Sequence, residues 1–300
     1  MLDVVRVTKA FGPLTAVSDL SFQAKPGSVF GLLGPNGAGK TTTIRMILDI
    51  LSPDAGDIFW DGRLVDAEQR RRFGYLPEER GLYPKMRAGD QLLFLARLHG
   101  IDTDVARGRI DELAQVLNLS DQLRKTPAAL SKGNQQKVQF IAAIVHEPPL
   151  LVLDEPFSGF DPINVEIVKH SIRDLVQRGT TVLLSSHRME QVEELCEDIC
   201  IIDHAHAVLA GNLRDIKRSW PDRFIRMTAM ADSGFLRAFT GTAVRPDTNG
   251  YLNVTVSPQT SPADVLRAAM AFGPVDHFEV VEPSLNDIYL HAVKAEMPTP

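Results

Sequence analysis

Apolar residues near the start of the chain fall in three short runs, residues 4–7, 20–24 and 29–33, separated by Gly12-Pro13 and Pro26-Gly27. Runs of that length bounded by turn formers predict successive β-strands. A glycine-rich stretch, 34–39, then gives way to residues 41–50, whose good helix formers and helical apolar spacing predict a helix starting at the glycines. Over 88–120 the spacing of Val105, Ile110, Leu113, Ala114 and Leu117 at three and four residues predicts one buried helical face and a mostly helical insertion. From Leu150 the pattern alternates: a strand at 150–153, a helix at 165–177 and a strand at 181–185, the signature of a mainly parallel sheet flanked by helices. Beyond Gly211 the character changes, and the charged segment 212–222, with Trp220 and Pro221, reads as a boundary between domains. Strands near 224–230, 251–256 and 277–281, with helices near 262–272 and 284–293, then describe a second, small α/β unit compatible with a ferredoxin-like βαββαβ plan. No internal repeat is evident, and residues 296–300 are expected to be a frayed tail.

Composition narrows the partners. With 300 residues, 44% of them hydrophobic and 23% charged, the chain is long enough for one large and one small domain. A formal net charge of −6 supplies no broad basic surface, so nucleic acid is not expected as a partner, and Arg70, Arg71 and Arg72 read as a solvated helix end. No run reaches the ~18 to 20 apolar residues needed to span a bilayer. Residues 1–9 carry Asp3 and Arg6 among apolar neighbours, which suits a strand rather than a signal peptide, and a cytoplasmic location is expected. Cys196 and Cys200, with His204 and His206 close behind, raise the question of zinc. A helix end at 190–196 followed by a strand at 199–202 would point the four side chains apart, so buried free thiols beside a surface turn are expected instead.

The candidate chemistry begins at Gly34-Pro35-Asn36-Gly37-Ala38-Gly39-Lys40-Thr41, which fits G-x-x-x-x-G-K-[ST] between a strand and a helix. Glycines let the backbone wrap a phosphate closely enough to aim its N–H groups inward, and the helix N-terminus adds partial positive charge. Asn36, Gly37, Ala38, Gly39, Lys40, Thr41 and Thr42 are the expected phosphate contacts, with Lys40 reaching the β- and γ-phosphates and the Thr41 hydroxyl a Mg²⁺ ligand. The second half is the apolar strand that ends abruptly in Asp154 and Glu155. Carboxylates at the carboxyl edge of a sheet must be solvated, paired or metal-bound. Asp154 fits an acid holding Mg²⁺ through water, and Glu155 a group that orients and polarises the attacking water.

Leu130-Ser131-Lys132-Gly133-Asn134-Gln135-Gln136 resembles the LSGGQ signature of ABC cassettes. The cassette features occur in the same order here: Phe11 where an aromatic stacks on adenine, Ser158-Gly159-Phe160-Asp161 as a D-loop, and His187 as a switch histidine near the γ-phosphate. The resemblance covers about residues 1–220 and implies an α/β P-loop NTPase cassette at 1–215, with a helical subdomain at about 79–148 and an accessory α/β domain at 222–300. It also implies ATP and Mg²⁺ as cofactors, with Glu155, His187 and Lys40 catalytic. A head-to-tail dimer is implied too, homomeric or heteromeric, in which Ser131, Gly133, Asn134 and Asp161 of one copy meet the ATP held by the other.

Three departures, Lys132 and Asn134 in the signature and Glu78 at a position usually glutamine, resemble the sodium-efflux and related exporter ATPases. So do residues 76–86 and Glu282-Pro283-Ser284-Leu285-Asn286-Asp287-Ile288. Glu78 is therefore an expected contact to metal or water. The resemblance implies a separate transmembrane permease, docked at residues 78–86 and the helix 91–98, and a place at the inner face of the cell membrane. A soluble cassette protein acting on ribosomes or DNA would join two cassettes or carry a long coiled coil; one cassette and no heptad run are present. Intact Lys40, Asp154, Glu155 and His187 argue against a binding-only cassette. The C-terminal unit holds no titratable constellation, which leaves dimer contact, regulation and bracing open.

Overall fold

The computed structural model describes residues 1–79, 81–228, 234–239, 241–247 and 250–296. The chain divides into two compact units, Met1–Asn212 and Leu213–Pro300. Residues 297–300 of the expected tail, and 229–230 of the expected first strand of the second unit, lie outside the described residues.

In the first unit, β1 (Leu2–Phe11), β2 (Leu14–Ala24), β4 (Ala55–Trp60) and β5 (Arg63–Leu64) form an antiparallel sheet in the order β2-β1-β4-β5. The main sheet has the order β10-β9-β3-β8-β7-β6, built from β3 (Val29–Leu33), β6 (Gly74–Leu76), β7 (Leu150–Asp154), β8 (Thr181–Ser186), β9 (Asp198–Asp203) and β10 (His206–Asn212). Every residue of β3, β7, β8 and β9 is buried, as expected for strands covered on both faces, and all pairings are parallel except β9 with the edge strand β10. Because β3, β7 and β8 run parallel and in register, with Leu33 opposite Ser186 and Asp154 opposite Ser185, their carboxyl ends open on one edge. Open α/β sheets bind ligands at that edge.

Helices flank the sheet: α1 (Lys40–Ile47), α2 (Ala67–Arg70), α6 (Pro162–Gln177) and α7 (Met189–Glu193). α1 is shorter than its apolar pattern predicts, because Asp49 adopts φ +51° and the amides of Ile50 and Leu51 fold back on the Arg45 carbonyl. Between β6 and β7 the chain makes the helical insertion, α3 (Ala88–Leu98), α4 (Thr103–Val116) and α5 (Lys132–Ile144), which pack on one another. The expected buried face of α4 needs one correction: Val105 is exposed, and Ala106 takes the core position a turn before Ile110 and Ala114. Cys196 and Cys200 are buried free thiols, while His204 and His206 are exposed. Burial pushes the Cys200 thiol up to about 12 and raises that of Cys196 as well. His204 and Ala205 both have positive φ, the conformation of a tight two-residue hairpin between β9 and β10.

The second unit contains α8 (Leu213–Ser219), β11 (Arg223–Thr228), β12 (Ala243–Pro246), β13 (Tyr251–Val256), α9 (Pro262–Phe272), β14 (Phe278–Val281) and α10 (Leu285–Glu296). Its sheet is antiparallel throughout, in the order β12-β13-β11-β14. That is the strand order of a βαββαβ plan, with the first helix reduced to a short 3₁₀ turn at Gly234–Ala238. Alternate residues Leu252, Val254 and Val256 join Ile225 and Met227 on the face covered by Phe235, Leu236, Val265 and Ala269.

Candidate nucleotide site

A cavity of about 530 Å³ opens at the carboxyl edge of the main sheet, lined by Phe11, Leu14, Ala16, Asn36, Gly37, Gly39, Lys40, Thr41, Thr42, Glu78, Asp154 and Glu155. Its floor is the loop between β3 and α1. Gly34 has φ +150° and Gly39 φ +112°, and an added Cβ would sit 2.1 Å from the Ile202 carbonyl oxygen at the first and 2.3 Å from that of Ala16 at the second. Only glycine satisfies both demands. Ala38 is buried beneath the loop and donates its N–H to the Pro35 carbonyl at 3.2 Å. Lys40, the first residue of α1, is buried and donates Nζ to the carbonyls of Gly34 at 2.8 Å and Pro35 at 3.1 Å. Burial pushes its ammonium below the ordinary lysine range, partly offset by the negative fields of Glu155, Asp154 and Glu78. A cation taken so far from water, beside three carboxylates, is suited to an anion with several charges.

The acidic wall comes from β7. Asp154 accepts from the Thr41 hydroxyl at 3.1 Å through Oδ2 and from the Ser185 hydroxyl through Oδ1. Thr41 and Asp154 in contact, with Glu78 also lining the cavity, offer oxygen ligands, the ligand chemistry of a hard divalent cation. Glu155 adopts φ +50°, an uncommon conformation for a non-glycine residue. In it the side chain accepts from the His187 backbone N–H at 2.9 Å and lies 2.8 Å from His187 Nδ1, both at Oε1, while Ser186 donates to Oε2 at 3.3 Å. A carboxylate only accepts, so this contact places the imidazole proton on Nδ1 and leaves Nε2 free to accept when the ring is neutral. The neighbouring Tyr75, on β6, has its phenol pushed up to about 12 by burial and by Asp154.

The structure brings Phe11, Asn36, Gly37, Gly39, Lys40, Thr41, Thr42, Glu78, Asp154 and Glu155 around one cavity and attaches His187 to Glu155. Ser131, Gly133, Asn134 and Asp161 lie elsewhere and do not line it. Ser131 caps α5, its hydroxyl accepting from the Asn134 N–H at 3.2 Å, and Asp161 caps α6 by accepting from the Asn164 N–H at 3.0 Å. The two caps are neighbours, since a Cβ on Gly133 would lie 3.7 Å from the Phe160 ring. Together they form a second cluster, in which Ser131 and Asp161 are exposed and Gly133 and Asn134 half-buried.

Several supporting residues escape a reading of the sequence. Ser185 and Ser186 orient the two acids, and nothing in a strand ending Leu-Leu-Ser-Ser marks them apart from ordinary strand residues. Gln91, buried on α3, accepts from the Tyr83 N–H at 2.9 Å and donates to the carbonyls of Tyr83 at 3.0 Å and Met86 at 2.8 Å. It fixes the loop whose exposed Tyr83 faces solvent.

Comparison with known proteins places these features in context. Residues 17–158 match the family described as ABC transporter, and residues 211–293 the one described as ATP-binding protein DrrA1-3-like, C-terminal domain. The chain is 44% identical to the ABC transporter ATP-binding protein YhaQ of Bacillus subtilis, over 98% of this chain and 99% of the relative. It is 37% identical to the Nod factor export ATP-binding protein I of Burkholderia pseudomallei, over 70% of each. Among solved structures, an ATP-binding subunit of an ABC transporter superposes with a TM-score of 0.69 at 31% identity, covering 73% of this chain and 92% of that one.

Proposed function

The chain belongs to the ATP-binding subunits of ABC transporters, and from that premise we propose that it is the ATPase of an exporter whose membrane-spanning permease is a separate polypeptide. One observation carries this reading: Lys40, Thr41, Asp154 and Glu155 meet around a single cavity that an aromatic, Phe11, also lines. Adenine stacks on Phe11, and the triphosphate lies along the Gly34–Thr41 loop with Asn36, Gly37, Ala38, Gly39 and Thr42 as its other contacts. Thr41, Asp154 and Glu78 would hold Mg²⁺, which would supply positive charge against the phosphate oxygens. Glu155 accepts a hydrogen bond from the attacking water and aligns it with the γ-phosphorus, while His187 anchors that carboxylate.

Ser131, Gly133, Asn134 and Asp161 complete the site of a second copy, arranged head to tail, so that closing on ATP and opening after hydrolysis supplies a stroke. The cluster they form opens to solvent at Ser131 and Asp161 and is separate from the cavity of its own chain, which is what such an arrangement requires. Among the described residues no helix is long and apolar enough to cross a membrane. The stroke therefore passes to a permease at the inner face of the cell membrane, through the loop around Tyr83 that Gln91 holds in place. Residues 1–215 serve as the cassette and 222–300 as an accessory domain.

The test is Glu155→Gln. It removes the charge that polarises water while leaving the phosphate loop intact, so the full chain with Mg²⁺ and ATP is expected to lose turnover by roughly 10²-fold or more and to accumulate an ATP-bound dimer by size exclusion. Turnover at the unaltered rate sinks the role given to Glu155. Co-purification of the tagged chain with a polytopic membrane protein, rather than with RNA or DNA, tests the transporter half.

A further inference from the structure

Resting on the ATPase reading above, we infer that Asp54 is a positioning residue for the nucleotide base, because it holds the end of β1 that carries Phe11. β1 pairs with β4 only as far as Thr8 opposite Ala55, and its pairing with β2 shifts register on both sides of Lys9. The backbone just before Phe11 therefore has no ladder on its β4 side, and on its β2 side the pairs Ala10 with Thr15 and Phe11 with Leu14 follow a register shift. Asp54, immediately ahead of β4, supplies the missing bonds. Its N–H donates to the Thr8 carbonyl at 2.8 Å, its Oδ2 accepts the Ala10 N–H at 2.8 Å, and its Oδ1 accepts Lys9 Nζ at 2.7 Å.

Lys9 Nζ in turn lies 5.9 Å from the centre of the Phe11 ring, within range of a cation–π contact. The hydrogen bonds from Lys9 and Ala10 hold the Asp54 carboxyl below the usual carboxylate range. The Asp54 side chain thus grips Lys9 and Ala10 while its backbone N–H holds Thr8, and Phe11 follows directly.

The grip matters because the ring has little else to hold it. Phe11 is 50% exposed, at the tip of a hairpin that turns through Gly12 at φ +59°, and its only part in the cavity is an apolar wall shared with Leu14 and Ala16. A base stacks on such a ring with least loss of freedom when the ring is already in place. The pair is half-exposed on its Asp54 side, where ion pairs contribute little to stability. Removing the carboxylate is therefore expected to disturb the ring's placement without unfolding the chain.

The experiment compares two ligands on the full chain: ATP, which carries a base, and inorganic tripolyphosphate, which does not. Asp54→Ala is expected to raise the KM for ATP about fivefold, with kcat and the inhibition constant of tripolyphosphate within about twofold of the unaltered chain. The same substitution on a Phe11→Ala background is expected to add nothing, since the ring it positions is gone. Asp54→Asn, which keeps an acceptor for the Ala10 N–H, is expected to recover most of the loss. Lys9→Met, which removes only the ion pair, is expected to give a smaller rise confined to ATP, and it serves alone if Asp54→Ala fails to fold. An unchanged KM for ATP, equal weakening of ATP and tripolyphosphate, or an undiminished effect without Phe11 each overturns the proposal. An unaltered chain that hydrolyses no ATP overturns the ATPase reading instead.

Discussion

The phosphate-gripping end of the cassette and its signature end both rest on a helix N-terminus, yet they differ in how much one chain supplies. At the start of α1 the partners are all in place: Lys40 is buried against the loop carbonyls, Thr41 meets Asp154, and Glu155 is anchored by His187. At the start of α5 the same kind of helix end is exposed, capped by Ser131 and flanked by the Asp161 cap, with no share in that cavity. A helix N-terminus is a ready anion site, but only surrounding chemistry turns it into a triphosphate site. On the proposed reading the first end is a binding site by itself and the second is half of one.

The hardest blow to that contrast comes from Lys40→Met. Removing the one lysine among the described residues that line the cavity is expected to weaken ATP binding by roughly 10²- to 10³-fold and to abolish turnover, because three carboxylates would then face the phosphates without that cation. Fluorescent-nucleotide titration of the full chain checks this. Retention of normal affinity would mean that the backbone loop alone grips the phosphates.

Next in size is Ser131→Asp. Aspartate caps a helix as well as serine, so α5 and the thermal midpoint are expected to survive, while a new negative charge faces whatever anion approaches that end. Single-chain ATP affinity should stay within about twofold, whereas turnover should fall roughly 10²-fold because closure of two copies on ATP is opposed. Loss of affinity in parallel with turnover would show that the two ends belong to one site after all.

How much of this was legible in the sequence divides along the same line. Gly34 to Thr41 could be read in full because each residue acts within one continuous strand, loop and helix. Asp154 and Glu155 could be read because acids rarely end so apolar a strand. The signature end was legible only through resemblance, since on the proposed reading its residues act on a neighbouring copy. Ser185, Ser186, Gln91 and Asp54 escaped because hydrogen-bonding roles for common polar residues leave no periodicity. In the second unit, β12 escaped because all four of its residues are exposed, and a strand without a buried face gives no alternation.

A third perturbation concerns what holds the two ends in relation. The His99 and His146 rings stack with centroids 3.7 Å apart, and both contact the segment that leads into β6, His99 at the Arg71 carbonyl and His146 at that of Phe73. They tie the ends of α3 and α5 to the sheet. Burial pushes the His146 imidazole from 6.5 down to about 4, with further lowering by His99. The unfolded chain therefore takes up this proton near 6.5 and the folded chain only near 4, so stability present at neutral pH is lost as pH falls across that interval. The loss amounts to about 2–3 kcal/mol. Urea midpoints at pH 7 and 4.5 should differ less for His146→Gln than for the unaltered chain, and an equal drop in both would clear His146 of the effect.

The smallest expected effect asks how finely the self-contained end is set. Ser186 donates to Glu155 at 3.3 Å and accepts from the Arg188 N–H at 3.0 Å, so it bridges the carboxylate and the backbone just beyond His187. The bond to Glu155 is long, and His187 makes two shorter contacts to the other oxygen, so Ser186 is a minor anchor of the carboxylate. Ser186→Ala should therefore lower kcat by about threefold to tenfold while leaving KM unchanged, because nothing that touches the nucleotide has moved. Ser186→Thr, with the same hydroxyl, should restore most of the rate. A drop in kcat as deep as that of Glu155→Gln would make the serine, and not the histidine, the group that decides where the carboxylate points.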